Sequence, residues 1–200
     1  MTETDLLNQA LNYLGEARVQ SLTQNTNSAK YGADAIRPSV SQVLRLHKWN
    51  SALKRRALNR QTEENEFGPK YTYTLPVDFI KLAKYNDGVE EYAIEGRNIV
   101  TDNQVVEIVY VAYPKDFADL DPNLFEAIAA KLAFNIAINV TGEPGMQPRM
   151  MELHERFLAR AKAHDARESS RFAESLYEET MRDSPMIRAR YKLGRWRTIT

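Results

Sequence analysis

The chain has 200 residues, 43% of them hydrophobic, with 27 basic and 27 acidic side chains and no cysteine. That is enough apolar material for the core of one folded domain, or of one domain with a sizeable insertion, and the zero formal charge argues against the whole chain being a nucleic-acid binder. Without cysteine there are no disulfides, thiolate metal sites or cysteine nucleophiles.

The opening MTETDLLNQA is acidic and lacks the basic and apolar regions of a secretory signal, so the expectation is a protein that stays in the cytosol of the cell that makes it. Residues 4–14 place Leu6, Leu7, Ala10, Leu11 and Leu14 at helical spacing, with Thr4 as candidate N-cap and Gly15 as stop. A polar loop carrying Val19 and Leu22 runs to about Asn27. A new pattern then begins with Ala29, Ala33 and Ile36. Pro38 is unfavourable inside a helix and well placed in a first turn, which predicts two consecutive helices over 28–36 and 38–48. The second directs Val40, Val43, Leu44 and His47 inward and ends near Trp49.

After Trp49 the periodicity changes. Residues 51–59 read as a strand of awkward alternation, and 61–70, QTEENEFGPK, as a polar, turn-rich loop. Segments 71–75, 78–85, 90–94, 98–100 and 105–113 are rich in β-branched or aromatic residues. The connections Asn86-Asp87-Gly88, Glu95-Gly96-Arg97 and Asp102-Asn103 carry hairpin chemistry, so the middle third is expected to form a small antiparallel sheet.

In 121–140, DPNLFEAIAAKLAFNIAINV, the polar residues after Asn123 are Glu126, Lys131, Asn135 and Asn139, a narrow stripe on an otherwise apolar helix. Such a helix is normally buried. Its alanines admit close neighbours on several sides. Asp121 is a candidate N-cap with Pro122 at the first helical position, and Thr141-Gly142 a stop. The polar interruptions argue against a membrane span, which needs roughly 20 apolar residues. Residues 148–181 are helical again, with Met151, His154, Phe157, Leu158, Ala161, Phe172, Leu176 and Tyr177 on the inner face; the stretch 164–171 is polar all round and reads equally as exposed helix or as a break. The fold expected is α+β, mainly α. Residues 1–49 and 114–181 make a helical bundle, 50–113 a small antiparallel β insertion, and 182–200 an extended tail.

Catalytic spacing is hard to find. His47, His154 and His164 lack metal-ligand spacing, and neither a nucleophile elbow nor a phosphate-cradling loop occurs. Glu63, Glu64 and Glu66 offer carboxylates to a hard cation, although a solvated loop is the ordinary meaning of such a cluster. Asn139-Val140-Thr141 is a glycosylation sequon that has no meaning without a secretory route. The expectation is a protein that is not an enzyme and has no cofactor or metal. The strongest binding signal is the tail, where Ile187, Tyr191 and Trp196 interleave with Arg188, Arg190, Lys192, Arg195 and Arg197. Docking onto a partner, contact with phosphates and an unstructured terminus all remain open for it.

Several of these segments occur together in one family. They are the first helix ending Leu14-Gly15-Glu16 with Val19 and Leu22, the run from Leu44 through His47-Lys48-Trp49-Asn50 to Ala52, and Tyr73-Thr74-Leu75-Pro76-Val77-Asp78-Phe79. Tyr92 to Gly96 with Thr101-Asp102, and Phe125-Glu126-Ala127 to Leu132-Ala133, complete the series. In order and spacing, from about Leu6 to Gly142, the chain resembles the tail tubular protein A family, the head-tail adaptors of short-tailed bacteriophages. One departure is Ser51, where an aromatic residue is expected. The resemblance implies a non-enzymatic virion protein, made in the host cytoplasm, that forms a homo-oligomeric ring of twelve subunits at the head-tail junction. It implies contact with the portal protein above and the tail nozzle below, with tail fibres attached near the junction in some phages. Genomic DNA would pass through the channel during ejection without its sequence being read. On that footing Ile187, Arg188, Arg190, Tyr191, Lys192, Arg195, Trp196 and Arg197 are the expected portal-binding residues. The alternative function is a nucleic-acid-binding helical module using the same tail.

Overall fold

A computed structural model of the protein describes residues 1–86 and 91–183, the side chains of the last helix as far as Glu168. The chain divides into two compact units, Met1–Lys162 and Ala163–Thr200.

Helix α1 spans Glu3–Leu14. Its N-cap is Thr2 rather than Thr4, because only a Thr2 start puts a carboxylate at the third helical position: Thr2 accepts from the Asp5 N–H, and Asp5 accepts from the Thr2 N–H at 2.8 Å. This reciprocal box satisfies two orphan donors at once. Gly15, at φ 75°, closes the helix in the left-handed region. Asn8 then pins the following loop by donating to the Val19 carbonyl at 3.0 Å and accepting from the Val19 N–H at 2.8 Å.

The expected pair of helices around Pro38 is one helix, α2, Asn27–Leu46. Pro38 removes one N–H and would cost about 3 kcal/mol in a helix interior. It sits on the exposed side, whereas Ala29, Gly32, Ile36, Ser39, Val40, Val43 and Leu44 on either side of it are buried on one face. Burial of that face on both sides of the proline outweighs the lost bond. Ala33 is exposed, and His47 is the C-cap residue, half-buried with its ring edge-on to Trp49 at 4.8 Å.

The apolar helix is α3, Pro122–Thr141, capped by Asp121, whose carboxylate accepts from the Asn123 and Leu124 N–H groups, and ended by Gly142. By length and composition it could cross a bilayer, contrary to the expectation from its polar residues. Here it is the helix on which α1 and α2 both pack, and its alanines at 127, 129, 130, 133 and 137 are fully buried. Asn135 of the polar stripe donates to Ser39 of α2 at 2.7 Å, linking the two helices. Helix α4 spans Met146–Asp183 and runs through 164–171 as helix. Before residue 163 its buried side chains are Met150, His154 and Ala161, while Met151 is exposed. Beyond that residue His164 Nδ1 lies 3.8 Å from the Glu168 carboxylate, one turn on.

Between α2 and α3 lie six strands: β1 Leu53–Ala57, β2 Tyr71–Thr74, β3 Phe79–Tyr85, β4 Ala93–Glu95, β5 Asn98–Thr101 and β6 Glu107–Ala112. They form two three-stranded antiparallel sheets instead of one, in the orders β1-β6-β3 and β2-β5-β4. Of the expected hairpins, Glu95-Gly96-Arg97 closes one, with Gly96 at φ 59°, and Asp87-Gly88 lies outside the described residues. Asn86 and Asp102-Asn103 instead sit where the chain passes from one sheet to the other. Turn chemistry reports a local reversal and is silent about which strands pair afterwards.

The β1-β6-β3 sheet is shared between two cores. Ile80, Val111 and Leu53 join the cluster of the helical bundle, whereas Ile108, Tyr110 and Ala112 join Tyr71, Tyr73, Leu75, Tyr85, Ile99 and Val106 between the sheets. The period of two along β6 explains this division, since Tyr110 and Val111 necessarily face opposite ways.

Candidate functional site

The β1 sequence LKRRA is an edge strand, paired on one side only with β6. Its register puts Lys54 opposite Tyr110 and Arg55 opposite Val109, so Arg55 and Arg56 leave the sheet on opposite faces at its rim, both exposed. Charged residues on an edge are a common guard against strand addition. Here they also line a cleft of about 700 Å³, together with Arg37 from α2 and Tyr113 and Lys115 from the segment after β6.

Asp78 organises one wall. It receives the Lys54 ammonium at 2.7 Å and the Tyr110 hydroxyl at 3.0 Å. Burial alone would raise its carboxyl, but those two donors outweigh it and hold the group below the usual carboxylate range. Asp78 is therefore ionised and engaged, an anchor for the wall rather than a proton acceptor. The Tyr110 hydroxyl is correspondingly pushed up, by burial first and by its bond to Asp78 second. On the other wall the Arg37 guanidinium carbon stands 5.0 Å from the centre of the Tyr113 ring, within cation-π range. Burial pushes the Tyr113 hydroxyl up as well, with Glu3 adding to the effect. Among the described residues the buried hydroxyls of Ser51 and Tyr113 have no hydrogen-bond partner. At Ser51 this is the position where an aromatic residue is expected, and a ring there would leave no hydroxyl to satisfy.

With Lys54 engaged by Asp78, the cleft still presents Arg37, Arg55, Arg56 and Lys115. Arginines match the planar, two-oxygen geometry of carboxylate and phosphate. The arrangement is suited to holding an anionic partner. Val77 at its edge is 87% exposed and adds an apolar contact.

A second surface is the loop between β1 and β2. It is tied down at several points: Asn65 donates to the Pro69 carbonyl at 2.6 Å and accepts from Thr72 at 3.1 Å, and the Lys70 N–H donates to Asp102 at 2.8 Å. Gly68 takes φ 76°, which lets the chain turn back towards β2. Glu64 pairs with the Lys70 ammonium at 3.3 Å, and Glu63 and Glu66 are exposed. Phe67 stands among them, 88% exposed, over the outer side of the β2-β5-β4 sheet, where it lines a cavity with Thr72, Asn98 and Val100.

The portal-binding residues expected from the sequence, Ile187, Arg188, Arg190, Tyr191, Lys192, Arg195, Trp196 and Arg197, lie outside the described residues. The cleft was not singled out from the sequence, although three consecutive cations in 54–56 were a visible signal of a charged strand edge. Its other members, Arg37 and Lys115, are far away in sequence and are brought in by the pairing of β1 with β6. Compared with known proteins, the chain matches no family model and no curated sequence.

Proposed function

We propose that the chain is a structural head-tail adaptor of a bacteriophage virion, a ring subunit that joins the portal to the tail nozzle and lets DNA pass during ejection. The observation that carries this reading is where the motifs of the resemblance fall. Leu6 to Leu14, Leu44, Trp49, Ala52 and the run from Phe125 to Ala133 lie in the helical core, and Tyr73 and Leu75 in the core between the sheets. Most of the resemblance thus falls on core residues, in order along the chain, while Val77 and the segment Tyr92 to Gly96 are exposed. A ring requires head-to-tail contacts between unlike surfaces of identical subunits, and the cationic edge and the acidic loop are unlike surfaces of that kind. The tail residues named above are the proposed portal contact, folding onto the portal during assembly.

Deleting residues 184–200 should leave a folded protein that no longer co-sediments with its cognate portal ring; undiminished joining would remove the tail from the proposal. Electron microscopy of the full chain mixed with that ring should show an added layer, and its absence would overturn the adaptor reading. The five cations among the tail aromatics favour a second reading, a nucleic-acid-binding module. That reading requires salt-dependent duplex binding that disappears with the same deletion.

A further inference from the structure

The two surfaces described above are complementary in charge, and one projects an apolar side chain where the other is recessed. The loop offers the exposed carboxylates of Glu63 and Glu66 around a projecting Phe67, and the cleft offers arginines beside an exposed Val77. We propose that the chain associates head to tail with further copies of itself, the acidic loop of one copy seating Phe67 in the basic cleft of the next. That such a series closes into the adaptor ring rests on the function proposed above.

Three observations favour a second copy over another anionic partner. The loop is fixed by the hydrogen bonds of Asn65 and Lys70, so it presents its phenylalanine without a large cost of ordering. A buried aromatic anchor ringed by charge is the usual centre of a protein interface, and a cleft of about 700 Å³ has room for one ring with its flanking carboxylates. The loop lies over the outer side of the β2-β5-β4 sheet, the cleft lies at the β1 edge, and no residue lines both. A copy that has given its loop to one neighbour therefore keeps its cleft for another, so association continues beyond the dimer, into a ring where the rotation between copies closes and into a filament where it does not.

The absence of native cysteine makes the test direct. A chain carrying both Phe67→Cys and Arg55→Cys should, on mild oxidation at assembling concentrations and on the cognate portal ring, give a ladder of disulfide-linked oligomers. Either substitution alone should give none. A ladder stopping at the dimer would mean a reciprocal contact and overturn the proposal. Charge reversal supplies a control independent of disulfide geometry. Arg55→Glu/Arg56→Glu and Glu63→Arg/Glu66→Arg should each abolish association in sedimentation, and an equimolar mixture should restore it; no restoration overturns the pairing. Loss of duplex binding in the cleft variant with association unchanged would assign the cleft to phosphates instead. A layer on the portal without a ladder overturns the loop-cleft contact and leaves the adaptor standing. A ladder without a layer does the reverse, and neither overturns both.

Discussion

The helical core and the core between the sheets bury comparable groups by different means. In the first, α3 presents alanines to its neighbours and α2 presents Gly32, where an added Cβ would run into the Leu7 methyls. In the second, the large buried groups include tyrosines whose hydroxyls are hydrogen-bonded: Tyr73 to the Asn103 carbonyl at 2.8 Å, Tyr85 to the buried Thr101 at 3.1 Å and Tyr110 to Asp78 at 3.0 Å. The helical core fits closely around α3 and holds the polar side chains of Asn8, Ser39 and His154 in hydrogen bonds, whereas the core between the sheets takes its polar groups from tyrosines. Among the described residues the two surfaces with binding chemistry both border the sheets.

The largest effect should come from opening a hole in the helical core. Leu132→Ala, at a fully buried position of α3, should cost about 2–5 kcal/mol in urea unfolding. Tyr73→Phe keeps the ring and removes only the hydroxyl, and should cost about 0.5–1.5 kcal/mol. If the second loss exceeded the first, the contrast between the two cores would be wrong.

The smallest effect belongs to pH. His154 is buried with Nδ1 2.9 Å from the Ala127 carbonyl, a contact the neutral ring makes by donating. Burial pushes its pKa below the ordinary 6.5, the hydrogen bond to Ala127 opposing and Lys131 assisting. The unfolded chain therefore takes up this proton at a higher pH than the folded one. The contribution of His154 is fully present above about pH 6.5 and is lost as pH falls through the lower folded-state value. His154→Asn keeps a donor that does not titrate, so the wild-type chain should lose more stability than the variant between pH 7.5 and 5.5. Equal losses would show that this histidine is not held neutral by the fold.

The sequence made α3 legible because its signals were local and agreed: an N-cap, a proline at the first position, a glycine stop and apolar residues around most of the circumference. Pro38 misled for the opposite reason. Its penalty is local, whereas the burial that overrides it comes from α3, most of a hundred positions away. One sheet was expected and two formed, because strand-like composition does not record partners and β1 pairs with the last strand rather than with its neighbour. The cleft shares that cause, since Arg37, the β1 cations and Lys115 are unrelated in sequence until β6 brings them to one edge. The expected portal contact on the tail lies outside the described residues.

The pairing of β1 with β6 also sets an order of events during synthesis. Leu53 leaves the ribosome well before Val111, its eventual partner, and until then the first strand of the sheet has nothing to pair with. An unpaired strand left waiting in that way is a template for aggregation unless its side chains carry charge. Three of the five residues of β1 are cations, and charge of that kind on a strand is a general guard against aggregation while its partner is still to come.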